Sequence, residues 1–185
     1  MGSNRILEEQ CLNHSVVYQG KSYEFYVDTV KLPDGKEAVR EMVKHPGGVA
    51  ILAIDSENNV LMEEQYRYAI KQTFYEIPAG KMDKIPGEEP LDAAKRELRE
   101  ETGRVAGYWK YLGKIHTSPG IVSEVLYLYL AKDLRMEEQE LDSDEFINVT
   151  FMQIEELKKK IAGGEISDCK VITALTFAML QKEIE

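Results

Sequence analysis

The sequence predicts an α+β fold in which helices sandwich a mixed sheet in an α/β/α layering, with a small antiparallel β lobe at the N-terminus. Three observations carry this prediction. Residues 16–44 alternate in the manner of strands across a Pro-Asp-Gly turn. Short apolar, β-rich runs recur between 48 and 152, interrupted by a helix bounded by a proline and a glycine. The C-terminal end carries apolar residues at helical spacing.

Taken in order, VVYQ, SYEFYVDTVKL and EAVREMVK form a meander around Pro33-Asp34-Gly35, while residues 1–15 contribute little. Two or three strands bury little by themselves, so a lobe of residues 1–45 has to pack on the main domain, residues 46–185, or on another subunit. HPGG at 45–48 marks a hinge between them. GVAILAID, a SENN turn and VLMEEQY read as a hairpin with one strand in the core, and TFYEIP as a further short strand. A helix starts near Pro90, a residue favoured at the first helical position, and stops at Gly103, the usual left-handed terminator. VAGYWKYLGKI, SEVLYLYLA and EFINVTFM supply three more strands. QIEELKKKIA and SDCKVITALTFAMLQKEI are helical, separated by Gly163-Gly164. The charge runs 136–140 and 158–160 read as solvated faces, and His14, His45 and His116 share no spacing that makes a metal trio.

A chain of 185 residues with 43% hydrophobic and 30% charged residues supports one well-cored domain with a small appended lobe. The net charge of −10 argues against a general binder of nucleic acid or anionic membrane, both of which repel an acidic surface. No apolar run reaches the length of a membrane span or a signal peptide, and Ile6 spoils a myristoylation signal after Met1-Gly2. Cys11 and Cys169 are far apart and lack metal-ligand spacing, which favours a reduced, cytoplasmic location and no disulfide.

The stretch RELREETG at 96–103 sets Glu97, Glu100 and Glu101 on one helix face, since each residue advances by about 100°. Leu91, Ala94 and Leu98 occupy the neighbouring, core-facing arc, and Arg96 stands one turn before Glu100 as an i, i+4 brace. Like charges so close repel, and near a helix C-terminus they also face the negative end of the macrodipole. A hard divalent cation reverses that sign. A Glu-rich helix face more often serves solubility, so the three carboxylates alone do not decide the matter.

The wider context does. The run GKMDKIPGEEPLDAAKRELREETGR resembles the Nudix box, Gly-x5-Glu-x7-Arg-Glu-U-x-Glu-Glu-x-Gly-U, in which U is bulky and apolar. The spacing fits from Glu88 through Gly103. Seven residues rather than five separate Gly80 from Glu88, an apparent insertion near Ile85-Pro86, and the last apolar slot holds Arg104. Beyond the box, Glu76-Ile77-Pro78-Ala79-Gly80, Thr117-Ser118-Pro119-Gly120 and Glu64-Gln65-Tyr66-Arg67 resemble the ADP-ribose pyrophosphatase-like branch.

This resemblance implies a Nudix-type α/β/α sandwich that hydrolyses the pyrophosphate of ADP-ribose to AMP and ribose 5-phosphate. Another nucleoside diphosphate sugar such as GDP-mannose, or a dinucleoside polyphosphate, is the alternative substrate, and a non-catalytic ADP-ribose-binding module the alternative function. It implies Mg²⁺, with Mn²⁺ as a substitute, held by Glu97, Glu100, Glu101 and the Ala79 carbonyl. Arg96 then orients Glu100, and Glu88 anchors the loop or reaches an outer metal through water. Glu145 is the best match for the catalytic base, with Asp142 and Asp144 as alternatives. Arg67, Glu76, Phe25 and Pro119 are the implied substrate contacts, Phe25 by stacking on adenine together with Tyr23. A homodimer is implied, with the N-terminal meander at its interface.

Overall fold

The structure, a computed structural model, describes residues 7–143 and 145–184. The chain divides into two compact units: residues up to Gly47 together with His116–Val125, and Gly48–Ile115 together with Leu126 onward.

In the smaller unit β1 (Gln10–Gln19), β2 (Glu24–Lys31) and β3 (Glu37–Lys44) form an antiparallel sheet in that order. Gly35, at φ 88°, closes the β2–β3 turn by donating its N–H to the Leu32 carbonyl. The meander was expected from Val16, but β1 begins at Gln10 and pairs with Lys31 at the far end of β2. The polar stretch QCLNHS conceals the strand because this edge is exposed along nearly its whole length, so no side-chain alternation is required. Two register shifts, at Cys11/Asn13 and Val16/Tyr18, disturb the pattern further. On the other side of the sheet, residues 121–123 run along β3, with the Val43 N–H bonded to the Ile121 carbonyl at 2.7 Å.

The larger unit is built on β4 (Gly48–Ala53), buried at every position. Its strand neighbours are β7 (Ala79–Lys81), antiparallel, and β9 (Val125–Met136), parallel, and β8 (Arg104–His116) completes a mixed four-stranded sheet. Alternate residues of β4 serve two cores. Val49, Ile51 and Ala53 pack with Ala93, Ala94 and Leu98 of α1 (Pro90–Thr102), whereas Ala50 and Leu52, with Ile54 just past the strand, pack with Val171, Ala174, Leu175 and Ala178 of α3 (Cys169–Leu180). Helices therefore cover both faces, the predicted α/β/α layering. Each fully buried leucine or isoleucine here contributes roughly 1.5–3 kcal/mol of transfer free energy.

The expected hairpin of residues 48–66 is not a paired hairpin. β5 (Asn59–Arg67) has one bridge, Val60 to Ile54 just past β4, and belongs to a second sheet, ordered β10-β5-β6, with β10 (Ile147–Gln153) and β6 (Gln72–Glu76). Both edges of β4 are already taken by β7 and β9, so β5 has no free edge to join. The turn itself is as sharp as expected: Asn58 has φ 61°, and Asp55 Oδ1 accepts the N–H groups of Glu57 and Asn59. α2 (Ile154–Ala162) follows β10, and Asp168 caps α3 by accepting the Val171 N–H. Both cysteines are exposed. No helix among the described residues is long and apolar enough to cross a membrane.

Candidate active site

α1 forms where the sequence places it, with Pro90 at its first turn and Gly103 at φ 61° donating its N–H to the Arg99 carbonyl. Its C-terminal carbonyls, which would sharpen the repulsion felt by the carboxylates, are occupied. The Glu140 N–H bonds the Glu100 carbonyl and the Gln139 side-chain amide bonds that of Glu101. Residues 137–140 are exposed as expected, yet their backbone also closes the helix end.

Glu97 and Glu101 are buried, one turn apart, and Glu100 lies at the edge of the same face. Glu101 accepts the Ala79 N–H at 2.9 Å, which ties the helix to β7. Gly80 makes room for Glu97: a Cβ at that position would lie 2.0 Å from the Glu97 Cδ. Arg96 binds more than its i, i+4 partner. Its Nε and Nη2 hold the two oxygens of Glu88 at 3.0 and 2.9 Å, and its Nη1 reaches Glu97 at 2.7 Å and Glu100 at 3.0 Å. Glu88 is thus an anchor for the loop that leads into the helix. Lys84, within that loop, bridges Glu100 at 2.9 Å and Asp142 at 3.1 Å.

Burial raises the pKa of Glu97 despite the opposing charge of Arg96. Glu101 is pushed well above the usual carboxylate range, by burial first and then by the negative charges of Glu63 and Glu97. Among the described residues, no three His, Cys, Asp or Glu side chains are already gathered around a metal position, since Glu97 and Glu100 turn to Arg96. The donor set still fits a hard cation: carboxylate oxygens, two of them on buried side chains whose charged form is not fully compensated.

Glu145 lies in the 137–146 connection. Its charge acts on Glu63, Glu97 and Glu101, and its own Oε2 accepts the Asp142 N–H at 3.2 Å. Asp144 falls outside the described residues. Arg67 and Glu76 come together in a fork of two 2.6 Å bonds, and Lys170 adds a third contact to Glu76 at 2.7 Å. Burial works to raise the Glu76 pKa, but Arg67 and Lys170 outweigh it and hold the carboxyl below its ordinary value.

Phe25 and Pro119 belong to the smaller unit. Pro119 lines a cavity of about 310 Å³ with His14, Tyr26, Asp28, Met42 and Ile121. Phe25 does not line it; it is half exposed and edge-on to Tyr18, with ring centroids 5.7 Å apart. Tyr23 lies just before the start of β2, with its ring 5.3 Å from that of His45 and tilted by 32°.

Two site residues escape the sequence reading. Lys170 looks like an ordinary helical lysine, and only the fold brings it to Glu76. Glu63 had a readable signal. It follows three fully buried residues and sits two positions after Leu61, hence on the same inward face.

Comparison with known proteins accords with this geometry. The NUDIX domain profile matches residues 44–173. An ADP-ribose pyrophosphatase of Bacillus subtilis (strain 168) is 39% identical over 97% of this chain and 97% of its own length. A methanol dehydrogenase activator of Bacillus methanolicus is 38% identical over 98% of each. Among solved structures, an ADP compounds hydrolase superposes with a TM-score of 0.84 at 20% identity, over 97% of both chains, and so shares the fold. With the profile covering most of the chain and full-length relatives well above 30% identity, the chain belongs to the Nudix family.

Proposed function

We propose that this protein is a divalent-cation-dependent hydrolase of the pyrophosphate bond in ADP-ribose, releasing AMP and ribose 5-phosphate. The observation that carries the reading is the pair Glu97 and Glu101, buried beside Gly80 with carboxyl groups that lack full positive compensation. The 39% identical ADP-ribose pyrophosphatase supports the choice of substrate.

Glu97, Glu100, Glu101 and the Ala79 carbonyl are the groups assigned to hold Mg²⁺, or Mn²⁺ in its place. When bound, the cation neutralises phosphate oxygens and favours deprotonation of the attacking water. The protein's own residues do the rest. Arg96 acts by holding Glu97 and Glu100 in place from one guanidinium nitrogen. Glu145 is assigned as the base that takes a proton from the attacking water, while its Oε2 accepts the Asp142 N–H. Arg67 and Glu76, already locked together, offer a phosphate or ribose a fixed, partly exposed guanidinium. Phe25 and Pro119 offer the nucleobase apolar surface in the smaller unit.

A homodimer accompanies this reading, with the lobe of residues 1–45 assigned to its interface and residues 46–185 to hydrolysis. Tyr18, Phe25 and Val39 are exposed on one face of that lobe's sheet, an apolar surface that a second copy would cover. Two cysteines far apart in the sequence and without metal-ligand spacing suit a reducing cytoplasm.

The test is purified protein with Mg²⁺ and a panel of ADP-ribose, GDP-mannose, other nucleoside diphosphate sugars and dinucleoside polyphosphates, read as released monophosphate. ADP-ribose should turn over with the highest kcat/KM. A different leading substrate replaces ADP-ribose within the same chemistry. Binding of ADP-ribose with no turnover of any compound would remove the enzymatic reading.

A further inference from the structure

Glu63 is the acid that the family motif does not include. It sits on β5 directly across from Glu76 on β6, so both carboxylates rise from the same face of that sheet. Leu61, two residues earlier, belongs to the core cluster containing Ala93, Ala94 and Leu98 of α1. Alternation along the strand therefore directs Glu63 to the α1 side as well, near the last turns that carry Glu97 and Glu101. Its negative charge acts on Glu101 more strongly than any other charge does.

The two cross-strand acids differ in their partners. Glu76 holds Arg67 through two bonds and Lys170 through a third, and Lys170 is shared with Asp168. Those cations are committed. Glu63 is only 3% exposed, and its Oε1 is buried without any hydrogen-bond partner. An acid buried in this way destabilises a fold unless something supplies positive charge, and an apolar residue of the same size would fill the space without that penalty. The adjacent Leu61 and Met62 show that the strand accommodates such residues.

We propose that Glu63 is a further carboxylate of the divalent-cation site, adding negative charge from the β5 side opposite the three helical glutamates. The inference rests on the cation-dependent reading above and extends it to a strand outside the motif. Glu63 raises the affinity of the site for a divalent cation, and the bound cation in turn supplies the positive charge its buried oxygen lacks.

The experiment is titration of the metal-free, full-length protein with Mn²⁺, followed by calorimetry and by the metal-induced rise in Tm, for wild type, Glu63→Gln and Glu63→Met. Glutamine keeps the shape and removes the charge, and methionine removes the polar group altogether. Both variants should keep or raise the Tm of the metal-free protein while binding Mn²⁺ about 10- to 100-fold more weakly, the loss typical when a group supporting a metal site is removed. Unchanged Mn²⁺ affinity in both variants would overturn the role of Glu63 and leave the site on α1 intact. A lower metal-free Tm with unchanged affinity would make Glu63 a purely structural residue and overturn the proposal too. A wild type that binds no Mn²⁺ would instead bring down the cation-dependent reading, and this inference with it.

Discussion

Arg96 holds Glu88 through two parallel hydrogen bonds, with both side chains about nine-tenths buried, so the loop entering α1 is fastened to the helix it precedes. Such a fastening accommodates a longer loop between Gly80 and Glu88, where this chain has seven residues and the motif five.

Removing Glu88 takes two buried, charge-assisted hydrogen bonds from Arg96, whose charge Glu97 and Glu100 still compensate. Glu88→Ala should therefore lower unfolding free energy by about 1.5–3 kcal/mol, measured by urea denaturation of the metal-free protein. A loss below about 1 kcal/mol would place the pair among weak surface contacts.

Gly80→Ala should separate activity from folding. The added Cβ would meet the Glu97 carboxyl, the movable end of a side chain, at about 2 Å. Glu97 has to swing aside, so kcat should drop about 100-fold, the scale of an ångström-sized misplacement, while the urea midpoint stays near that of wild type. Full activity would mean that the position of Glu97 is not critical.

Glu101→Gln and Glu145→Gln should both lower kcat, with different binding signatures. The first should weaken Mn²⁺ binding as well. The second should lower kcat by roughly 10²–10⁴-fold with Mn²⁺ affinity retained, as expected for loss of a general base. If Asp142→Asn shows the larger kcat loss of the two loop variants, the base is Asp142 and Glu145 supports its loop.

The buried acids also set a pH dependence. Burial, followed by the charge of Glu76, pushes Glu63 up to about 8 from an ordinary value of 4.5. Between those values the folded, metal-free protein holds more protons than the unfolded chain, so its stability should fall as pH rises from about 4.5 to about 8. Glu76 has the opposite sign. Its pKa is held down by Arg67 and Lys170 against burial, so its contribution is present above 4.5 and is lost as pH falls through its folded value. Tm measured across this range in chelator should decline on the alkaline side, and Glu63→Gln should flatten the decline. A level wild-type profile between pH 5 and 8 would contradict the uncompensated burial of Glu63.

The parts legible in the sequence are those whose signals are local. Pro90 and Gly103 bound α1 because their backbone preferences act wherever they stand, and the shared face of Glu97, Glu100 and Glu101 follows from helical pitch. Arg96 bracing Glu100 is equally local. The partnership of β5 with β10 and β6 is decided by which strand edges remain free, which no short window reveals. The start of β1 was hidden because an exposed edge strand needs no apolar pattern. Lys170 reaches Glu76 across 94 residues of sequence, a proximity that only the finished fold provides.

β4 illustrates how long-range pairing governs a site whose motif is contiguous. Gly48 aligns with Leu126, far later in the chain, and this parallel pairing secures one flank of the strand on which α1 packs. The complete Nudix motif is synthesised before β9, so α1 exists in the growing chain before its supporting sheet can be complete. A nascent chain arrested after Gly103 carries every glutamate of the motif without the surface that gathers them.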